Sequence, residues 1–184
     1  MKRPLVVGGL VPFSSVDFPD SLAAVVFCQG CPWRCSYCHN PHLIPRCRDP
    51  AAPSWEAVLH LLRHRRGLLD AVVFSGGEPT LQAGLLDAIE DVRELGYRVG
   101  LHTAGPYPER LDLVLPYVDW VGFDVKAPFR RYKTITSIAG SGRRARESLE
   151  RLLASGVPYT LRTTVDRSRL GDDDLSAITA ELAG

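Results

Sequence analysis

Short, continuous hydrophobic runs recur along the chain and alternate with stretches in which apolar residues are spaced as on one face of a helix. The continuous runs predict five strands, over residues 23–28, 69–75, 98–103, 120–125 and 159–165. Continuous apolar strands of this length are typical of parallel sheets, which are buried on both faces. The pattern therefore predicts a parallel sheet.

The stretches between these strands predict helices over residues 55–66, 81–94, 106–114, 143–155 and 175–182. Ser54 can cap the first helix, and Gly96 and Gly156 end the second and the fourth. Five alternations of strand and helix predict an α/β fold with right-handed crossovers. They are too few for a closed eight-stranded barrel, so we predict an open, partial β/α barrel with about five to six parallel strands. A doubly wound sheet is the alternative, which is weakened because no Gly-x-Gly-x-x-Gly follows the first buried strand.

Length and composition predict one globular domain. The chain has 184 residues, of which 45% are hydrophobic and 23% are charged, which are ordinary values. Residues 1–22 are predicted to be an N-terminal extension with a short strand or hairpin near residues 5–7, and residues 23–184 to form the partial barrel. Only Ala183 and Gly184 follow the last predicted helix, which leaves open a further strand beyond it. The net charge of +1 gives no argument for nucleic acid or a membrane surface as a partner, and no apolar run is long enough to predict a transmembrane helix.

Three of the five cysteines form a compact motif, Cys31-x3-Cys35-x2-Cys38. Gly30 and Pro32 favour a loop here, because proline keeps the preceding residue out of a helix. Structural zinc and ordinary ferredoxin clusters take four protein ligands. Three cysteines on a four-iron cluster would leave one iron open to a substrate or cofactor, as in catalytic metal sites. A Cys3His zinc site with His42 and unliganded buried cysteines are the two alternatives.

The odd number of cysteines and their close spacing do not indicate a secreted disulfide framework, so a reducing cytoplasm fits best. Two cysteines lie outside the motif. Cys28 ends an apolar run and is predicted to be a small core residue. Cys47 lies in a polar loop and has no predicted role.

Residues able to do chemistry follow each predicted strand at its carboxyl end, where ligands sit in α/β folds. The cysteine loop follows the first strand and Gly-Gly-Glu-Pro follows the second. The third is followed by a His-Thr-Ala-Gly segment, and the last two end in Asp-x-Lys and Arg-Thr-Thr. These segments begin at Cys31, Gly76, His102, Asp124 and Arg162. We expect them to surround one site.

The cysteine motif, with Tyr37 directly before the last cysteine, resembles the cluster loop of the radical S-adenosylmethionine (SAM) enzymes. Residues 8–19 and 29–41 resemble activating enzymes of glycyl-radical proteins, most closely the type that activates anaerobic ribonucleotide reductase. The resemblance implies one 4Fe–4S cluster held by Cys31, Cys35 and Cys38, with SAM as the second cofactor.

The same resemblance implies roles for further residues. Tyr37 would lie near the adenine, and Gly76, Gly77 and Glu78 would contact the methionine amino group. Thr103, Asp124, Lys126 and Arg162 are the other implied SAM contacts, and Asp17 is implied at the rim that accepts the partner's peptide. Two alternatives stay open: an ion pair between Asp124 and Lys126, and pairing of Arg162 with a local acid.

The sequence also departs from the family pattern. Related activases often have Asp-Thr-Asn-Gly where this chain has residues 102–105, and they tend to have Gly in place of Asp20. The substitutions at His102 and Ala104 put the contacts made there in relatives, including a cation site, in doubt for this chain.

The implied function is reductive cleavage of SAM to a 5′-deoxyadenosyl radical that generates a glycyl radical on a partner enzyme, first of all anaerobic ribonucleotide reductase. The implied electron donor is an acidic protein such as flavodoxin or ferredoxin.

A basic cluster is interpreted either as a solvated face or as a docking patch for the donor or the partner: Arg130, Arg131, Lys133, Arg143, Arg144 and Arg146. Two other classes stay open: a radical SAM enzyme acting on a small molecule, such as a deazapurine precursor for tRNA modification, and a non-catalytic zinc or iron–sulfur interaction module.

Overall fold

One six-stranded sheet forms the centre of the molecule. A computed structural model describes residues 3–183, so the outermost residues of the predicted domain, 1, 2 and 184, lie outside the described part. The strands are β1 (Val7–Ser14), β2 (Ala23–Cys28), β3 (Ala71–Gly76), β4 (Arg98–Thr103), β5 (Trp120–Asp124) and β6 (Tyr159–Arg162). They follow one another in the sheet in chain order. β1 is antiparallel to β2, and all the later neighbours are parallel.

This topology confirms the predicted fold class. Each crossover steps to the next strand in the same direction, as in a β/α barrel, and β1 and β6 remain the two open edges of the sheet. Five strands run parallel, and the carboxyl ends of β2 to β6 therefore lie along one edge of the sheet.

Six helices connect or follow the strands: α1 (Trp55–His64), α2 (Leu85–Glu94), α3 (Pro108–Val114), α4 (Tyr132–Thr136), α5 (Ser141–Ser155) and α6 (Asp172–Ala183). The predicted cap of α1 is confirmed, because the Ser54 hydroxyl accepts a hydrogen bond from the backbone N–H of Ala57 at 3.2 Å. α2 begins four residues later than predicted, since a 3-10 turn at Pro79–Leu81 precedes it. Helix α4 was not predicted.

The predicted strand or hairpin within residues 1–22 is present as an edge strand of the sheet, but it is longer than predicted and begins at Val7. It has eight residues and pairs antiparallel with β2 along most of its length. Gly8 permits a close approach of neighbouring side chains to this strand. A Cβ on Gly8 would lie 2.4 Å from the Leu43 side chain and 2.6 Å from that of Gln29.

Alternation along the strands divides the core between the two faces of the sheet. In β2, Val26 packs in the larger cluster with side chains from all six helices, while Val25 packs in a smaller cluster on the other face. Phe18, from the segment between β1 and β2, fills part of that second face and lies 5.6 Å from the Trp120 ring. Gly100 makes room for it, because a Cβ there would lie 2.9 Å from the Phe18 ring. The segment after β1 is therefore part of the core.

Candidate active site

The cysteine loop follows β2 and is held by backbone hydrogen bonds at both ends. Gly30 adopts a positive φ of 94° and donates to the carbonyl of Leu43 at 2.7 Å. Cys31 donates to Ile44 at 3.1 Å, and Cys38 donates to Cys35 at 3.1 Å. These bonds fix the path of the loop.

The three cysteines of the motif are all partly exposed and line the same cavity. Cys28 is buried in β2, as predicted, and Cys47 is exposed and does not line the cavity. All five are free thiols. His42 does not line the cavity, so the structure does not bring it to the three cysteines as a fourth ligand. Across residues 3–183, no three His, Cys, Asp or Glu side chains converge closely enough to hold a single metal ion.

The Gly-Gly-Glu-Pro loop after β3 lies directly against the cysteine loop. Cys28 and Gly76 are register partners at the ends of β2 and β3. A Cβ on Gly76 would lie 2.5 Å from the Cys28 nitrogen, and one on Gly77 would lie 2.3 Å from the Gly30 oxygen. Both positions therefore need glycine because of the close packing between the two loops.

The amide N–H groups of this loop are already used within the protein. Gly77 donates to Cys28 and Glu78 donates to Gly30, both at 2.9 Å. The groups that this loop can present to a ligand are therefore backbone carbonyl oxygens and carboxylate oxygens, which are hydrogen-bond acceptors. Acceptors suit an ammonium group, since it carries only donors.

The Glu78 carboxylate is buried and well satisfied. Its side chain accepts hydrogen bonds from the Thr80 hydroxyl at 2.6 Å and the Thr103 hydroxyl at 2.7 Å, and from the backbone N–H groups of Thr80 and Ala104. Burial raises the pKa of Glu78, and these four bonds oppose the rise. Thr103, predicted as a SAM contact, lines the cavity and also holds this carboxylate in place.

Two cations share one carboxylate on the opposite wall of the cavity. Lys126 Nζ lies 3.1 Å from one Asp124 oxygen, and Arg162 Nη2 lies 3.1 Å from the other. Asp124 and Arg162 are register partners on β5 and β6. Both ion-pair alternatives raised by the sequence are therefore present in the structure. Burial opposes the charge on Lys126, but Asp124 and neighbouring groups outweigh it and raise the pKa of this lysine.

Tyr37 contributes an unpaired polar atom to the same cavity. Its hydroxyl is buried and has no hydrogen-bond partner among the described residues. The ring lies 5.8 Å from Lys126 Nζ, and burial raises the pKa of the phenol to about 12. An unsatisfied buried hydroxyl costs about 1–3 kcal/mol, so a ligand that offers an acceptor here would remove a penalty.

His102 connects the cavity to the segment after β1. Its Nε2 lies 3.0 Å from the Asp17 carbonyl oxygen and 3.4 Å from Arg162 Nη1. Burial and the nearby Arg162 lower the pKa of His102 to about 4. The neutral ring therefore donates its Nε2–H to Asp17. The Asp17 carboxylate itself accepts a bond from the Ser14 hydroxyl at 2.5 Å.

The cavity brings together every predicted site residue except Asp17. Asp17 does not line it and is connected to it through His102, so its place at a peptide rim stays a prediction. Seven other residues that line the cavity were not predicted as site residues: Trp33, His39, Asn40, Ser75, His102, Ala104 and Thr164. All of them lie within or beside the motif segments, so their position next to selected residues was the available signal.

The cavity fits an iron–sulfur cluster and a zwitterionic cofactor on chemical grounds. Burial and the nearby Glu78 raise the pKa of Cys31 to about 12, and burial raises that of Cys35. Such thiols need a metal's positive charge to become thiolate ligands. Acceptors on one wall, two cations on the other and the unpaired Tyr37 hydroxyl suit a bound amino acid.

None of the helices within residues 3–183 is both long and apolar enough to cross a membrane.

Comparison with known proteins identifies the family. The model of the radical SAM superfamily matches residues 25–174. A Methanocaldococcus jannaschii protein provisionally named a glycyl-radical enzyme activating enzyme is 28% identical over 94% of this chain and 73% of its own length. A pyruvate formate-lyase-activating enzyme from Clostridium pasteurianum is 34% identical over 76% of this chain and 60% of its own length.

A third relative has another activity in its name. A 7-carboxy-7-deazaguanine synthase from Methanopyrus kandleri is 35% identical over 57% of this chain and 49% of its own length. The chain thus spans between half and three quarters of the length of these relatives. Members of the matched family use a 4Fe–4S cluster with three cysteine ligands together with SAM. The family match covers most of the chain and includes all the residues that line the cavity, from Cys31 to Thr164. This protein therefore belongs to the radical SAM superfamily.

Proposed function

We propose that this protein activates a glycyl-radical enzyme: it cleaves SAM reductively, and the resulting 5′-deoxyadenosyl radical removes a hydrogen atom from a glycine Cα of the partner. Cys31, Cys35 and Cys38 hold the cluster. The observation that carries the proposal is the convergence of these cysteines and the Gly-Gly-Glu loop on one cavity. When bound, the cluster supplies the electron that breaks the bond between the sulfonium and C5′, which releases methionine.

The two walls of the cavity give each end of SAM's methionine group a partner. Carbonyl oxygens of Gly76 and Gly77 and the Glu78 carboxylate accept from the amino group. Lys126 and Arg162 carry two positive charges against the single negative charge of Asp124. The excess positive charge attracts the SAM carboxylate to this wall. The Tyr37 hydroxyl gains an acceptor from the cofactor.

The names of the first relatives support a protein substrate. Two of them are named as activating enzymes, one for glycyl-radical enzymes in general and one for pyruvate formate-lyase. The resemblance of residues 8–19 and 29–41 favours anaerobic ribonucleotide reductase as the partner. An acidic flavodoxin or ferredoxin supplies the electron. The free thiols are consistent with work in a reducing cytoplasm.

The second candidate function is action on a small molecule, as in deazapurine synthesis for tRNA modification. The relative named 7-carboxy-7-deazaguanine synthase favours it, since its identity over the matched region, 35%, is as high as that of the activating enzymes. The two functions share the cluster and SAM and differ only in the molecule that reaches the cavity.

Anaerobic reconstitution followed by spectroscopy tests the proposal. The protein should bind about four irons per chain and, with a chemical reductant, should form 5′-deoxyadenosine from SAM. Mixed with candidate glycyl-radical proteins, anaerobic ribonucleotide reductase first, it should give a glycyl radical detectable by electron paramagnetic resonance. One bound zinc and no SAM cleavage would contradict the proposal. SAM cleavage with a deazapurine product and no glycyl radical would establish the second candidate instead.

A further inference from the structure

Exposed positive charge lies beside the cysteine loop. Arg34, between two of the motif cysteines, Lys133 in α4 and Arg144 in α5 are all exposed. Within residues 3–183, none of these three side chains forms a hydrogen bond or an ion pair. We call these three residues the basic patch.

The other members of the basic cluster seen in the sequence have partners within the protein. Arg131 bonds to Asp174, Arg143 faces Glu147, and Arg146 lies 4.9 Å from the Phe129 ring centroid. Asp174 is also close enough to Arg130 for their charges to interact. These contacts favour the interpretation of a solvated face for these four residues, and they leave the basic patch unexplained.

The start of α5 departs from a rule that four other helices of this protein follow. α1, α2, α3 and α6 have an acidic residue in the first turn, as the helix dipole favours. α5 has none, its cap residue is Gly140, and it begins Ser-Gly-Arg-Arg. Cations near a helix N-terminus oppose the dipole. The stability of the fold does not account for Arg144 in this position, whereas an interaction with an anionic surface does.

Hydrogen bonds connect the basic patch to the backbone around Cys35. Arg34 donates its N–H to the Thr136 carbonyl at 2.9 Å, and Ser36 donates to the Ile135 carbonyl at 3.0 Å. The Thr136 hydroxyl lies 2.7 Å from the hydroxyl of Ser141, the first residue of α5. The residues on either side of Cys35 are exposed. A protein docked on the basic patch would therefore contact the loop that carries a predicted cluster ligand.

We propose that Arg34, Lys133 and Arg144 form the docking surface for an acidic one-electron donor protein. This inference rests on the proposed function, in which the cluster must be reduced. The donor loses one electron and the cluster gains it, with no bond made or broken. Charge complementarity selects the occupant, since an acidic protein is steered to an unpaired basic surface and held there. The glycyl-radical partner is the alternative occupant, and the measurements below distinguish it from the donor.

The affinity of the protein for an acidic flavodoxin tests the proposal without relying on enzyme activity. The oxidised flavodoxin is titrated into the reconstituted protein at low and high ionic strength. The double variant Lys133→Glu/Arg144→Glu should bind at least about tenfold more weakly at low salt, and the dependence of its affinity on salt should be much smaller. The control Arg63→Glu/Arg65→Glu makes the same change of charge at exposed positions at the end of α1 and should stay within about twofold of wild type. Unchanged affinity in the patch variant, or an equal loss in the control, would overturn the proposal.

Two further measurements separate docking from other roles. With a chemical reductant, the patch variant should form deoxyadenosine at the wild-type rate, and loss of that activity would mean that these residues support the cluster. If the variant lowers glycyl-radical formation on the partner even with a chemical reductant, the patch docks the partner and the inference is wrong. The milder Lys133→Gln/Arg144→Gln pair should show the same direction of change, which guards against misfolding. Absence of SAM cleavage by the wild-type protein would contradict the proposed function. The flavodoxin-binding experiment would still test the docking surface, because it does not depend on SAM cleavage.

Discussion

The carbonyl oxygen of Gly30 occupies the space that a side chain on Gly77 would need. An ideal Cβ on Gly77 would lie 2.3 Å from that oxygen. The contact is between the backbones of the two loops. The Glu78 N–H also donates a hydrogen bond to the same Gly30 carbonyl, which connects the two loops further. The relative position of the cysteine loop and the Gly-Gly-Glu loop therefore depends on the absence of one methyl group.

Gly77→Ala should separate these two loops. Because backbone cannot move aside as a flexible side chain does, we expect a loss of about 1–3 kcal/mol in the free energy of unfolding, as for other overpacked sites. Urea denaturation of the two proteins measures it. The control Gly9→Ala adds the same methyl group where the nearest atoms lie 3.7 and 3.9 Å away, at ordinary van der Waals distance, and it should change stability by less than about 0.5 kcal/mol. Equal effects of the two substitutions would contradict this account of Gly77.

Cys35→Ala should prevent stable assembly of the cluster, because it removes one of the three proposed cysteine ligands. The iron content after reconstitution should fall well below that of wild type, and deoxyadenosine formation should be lost. Cys47→Ala is the matched control, since that thiol is exposed and does not line the cavity; it should retain both properties. The ligand assignment would be wrong if Cys47 proved necessary and Cys35 did not.

Much of the site could be predicted because polarity changes abruptly at the strand ends. β2 and β3 are short apolar runs that stop at Cys28 and Gly76, and their parallel order brings the two following loops together. What the sequence could not supply is register. The Asp124–Arg162 ion pair arises because these residues are directly opposite on β5 and β6, and one step of slippage would separate them.

Tertiary contacts decided the elements that sequence patterns missed. Helix α4 has only five residues and includes β-branched residues such as Ile135, so local propensity gives little signal. It is held by the burial of Tyr132 and Ile135 and by backbone bonds from the cysteine loop to its last turn. The length of β1 has the same origin, because the close approach of neighbouring side chains to Gly8 cannot be read from composition.

Tyr37→Phe should have opposite effects on the ligand-free protein and on SAM binding. Removing a buried hydroxyl that has no partner should stabilise the ligand-free protein by about 1 kcal/mol. The same change should weaken SAM binding severalfold, because the cofactor loses a donor. Thermal denaturation and equilibrium titration with SAM measure the two effects.

Tyr132→Phe is the informative comparison. Its hydroxyl accepts the backbone N–H of Lys126 at 3.1 Å, so its removal leaves a buried donor unpaired and should destabilise the protein by about 1–3 kcal/mol. If both substitutions destabilise the ligand-free protein to the same degree, the Tyr37 hydroxyl has a partner and the proposed contact with the cofactor loses its support.

His102 should make the protein less stable as the pH falls from about 6.5 towards 4. In the unfolded chain, histidine takes up a proton near its ordinary pKa of about 6.5. In the folded protein, burial and Arg162 lower the pKa of His102 to about 4. Its contribution is therefore complete above pH 6.5 and decreases as the pH falls, because the unfolded state then binds the proton more tightly. The full effect of this one group is about 3 kcal/mol.

His102→Asn should remove that component of the pH dependence. Asp17, Asp124 and Arg162 also face this position and remain in the variant, so the difference between wild type and variant isolates the histidine. Urea denaturation from about pH 7.5 down to about pH 4 should show a stability difference that shrinks as the pH falls. A His102→Asn difference that stays constant across this range would mean that the histidine is accessible to protons in the folded state, and that it does not connect the segment after β1 to the cavity as a neutral donor.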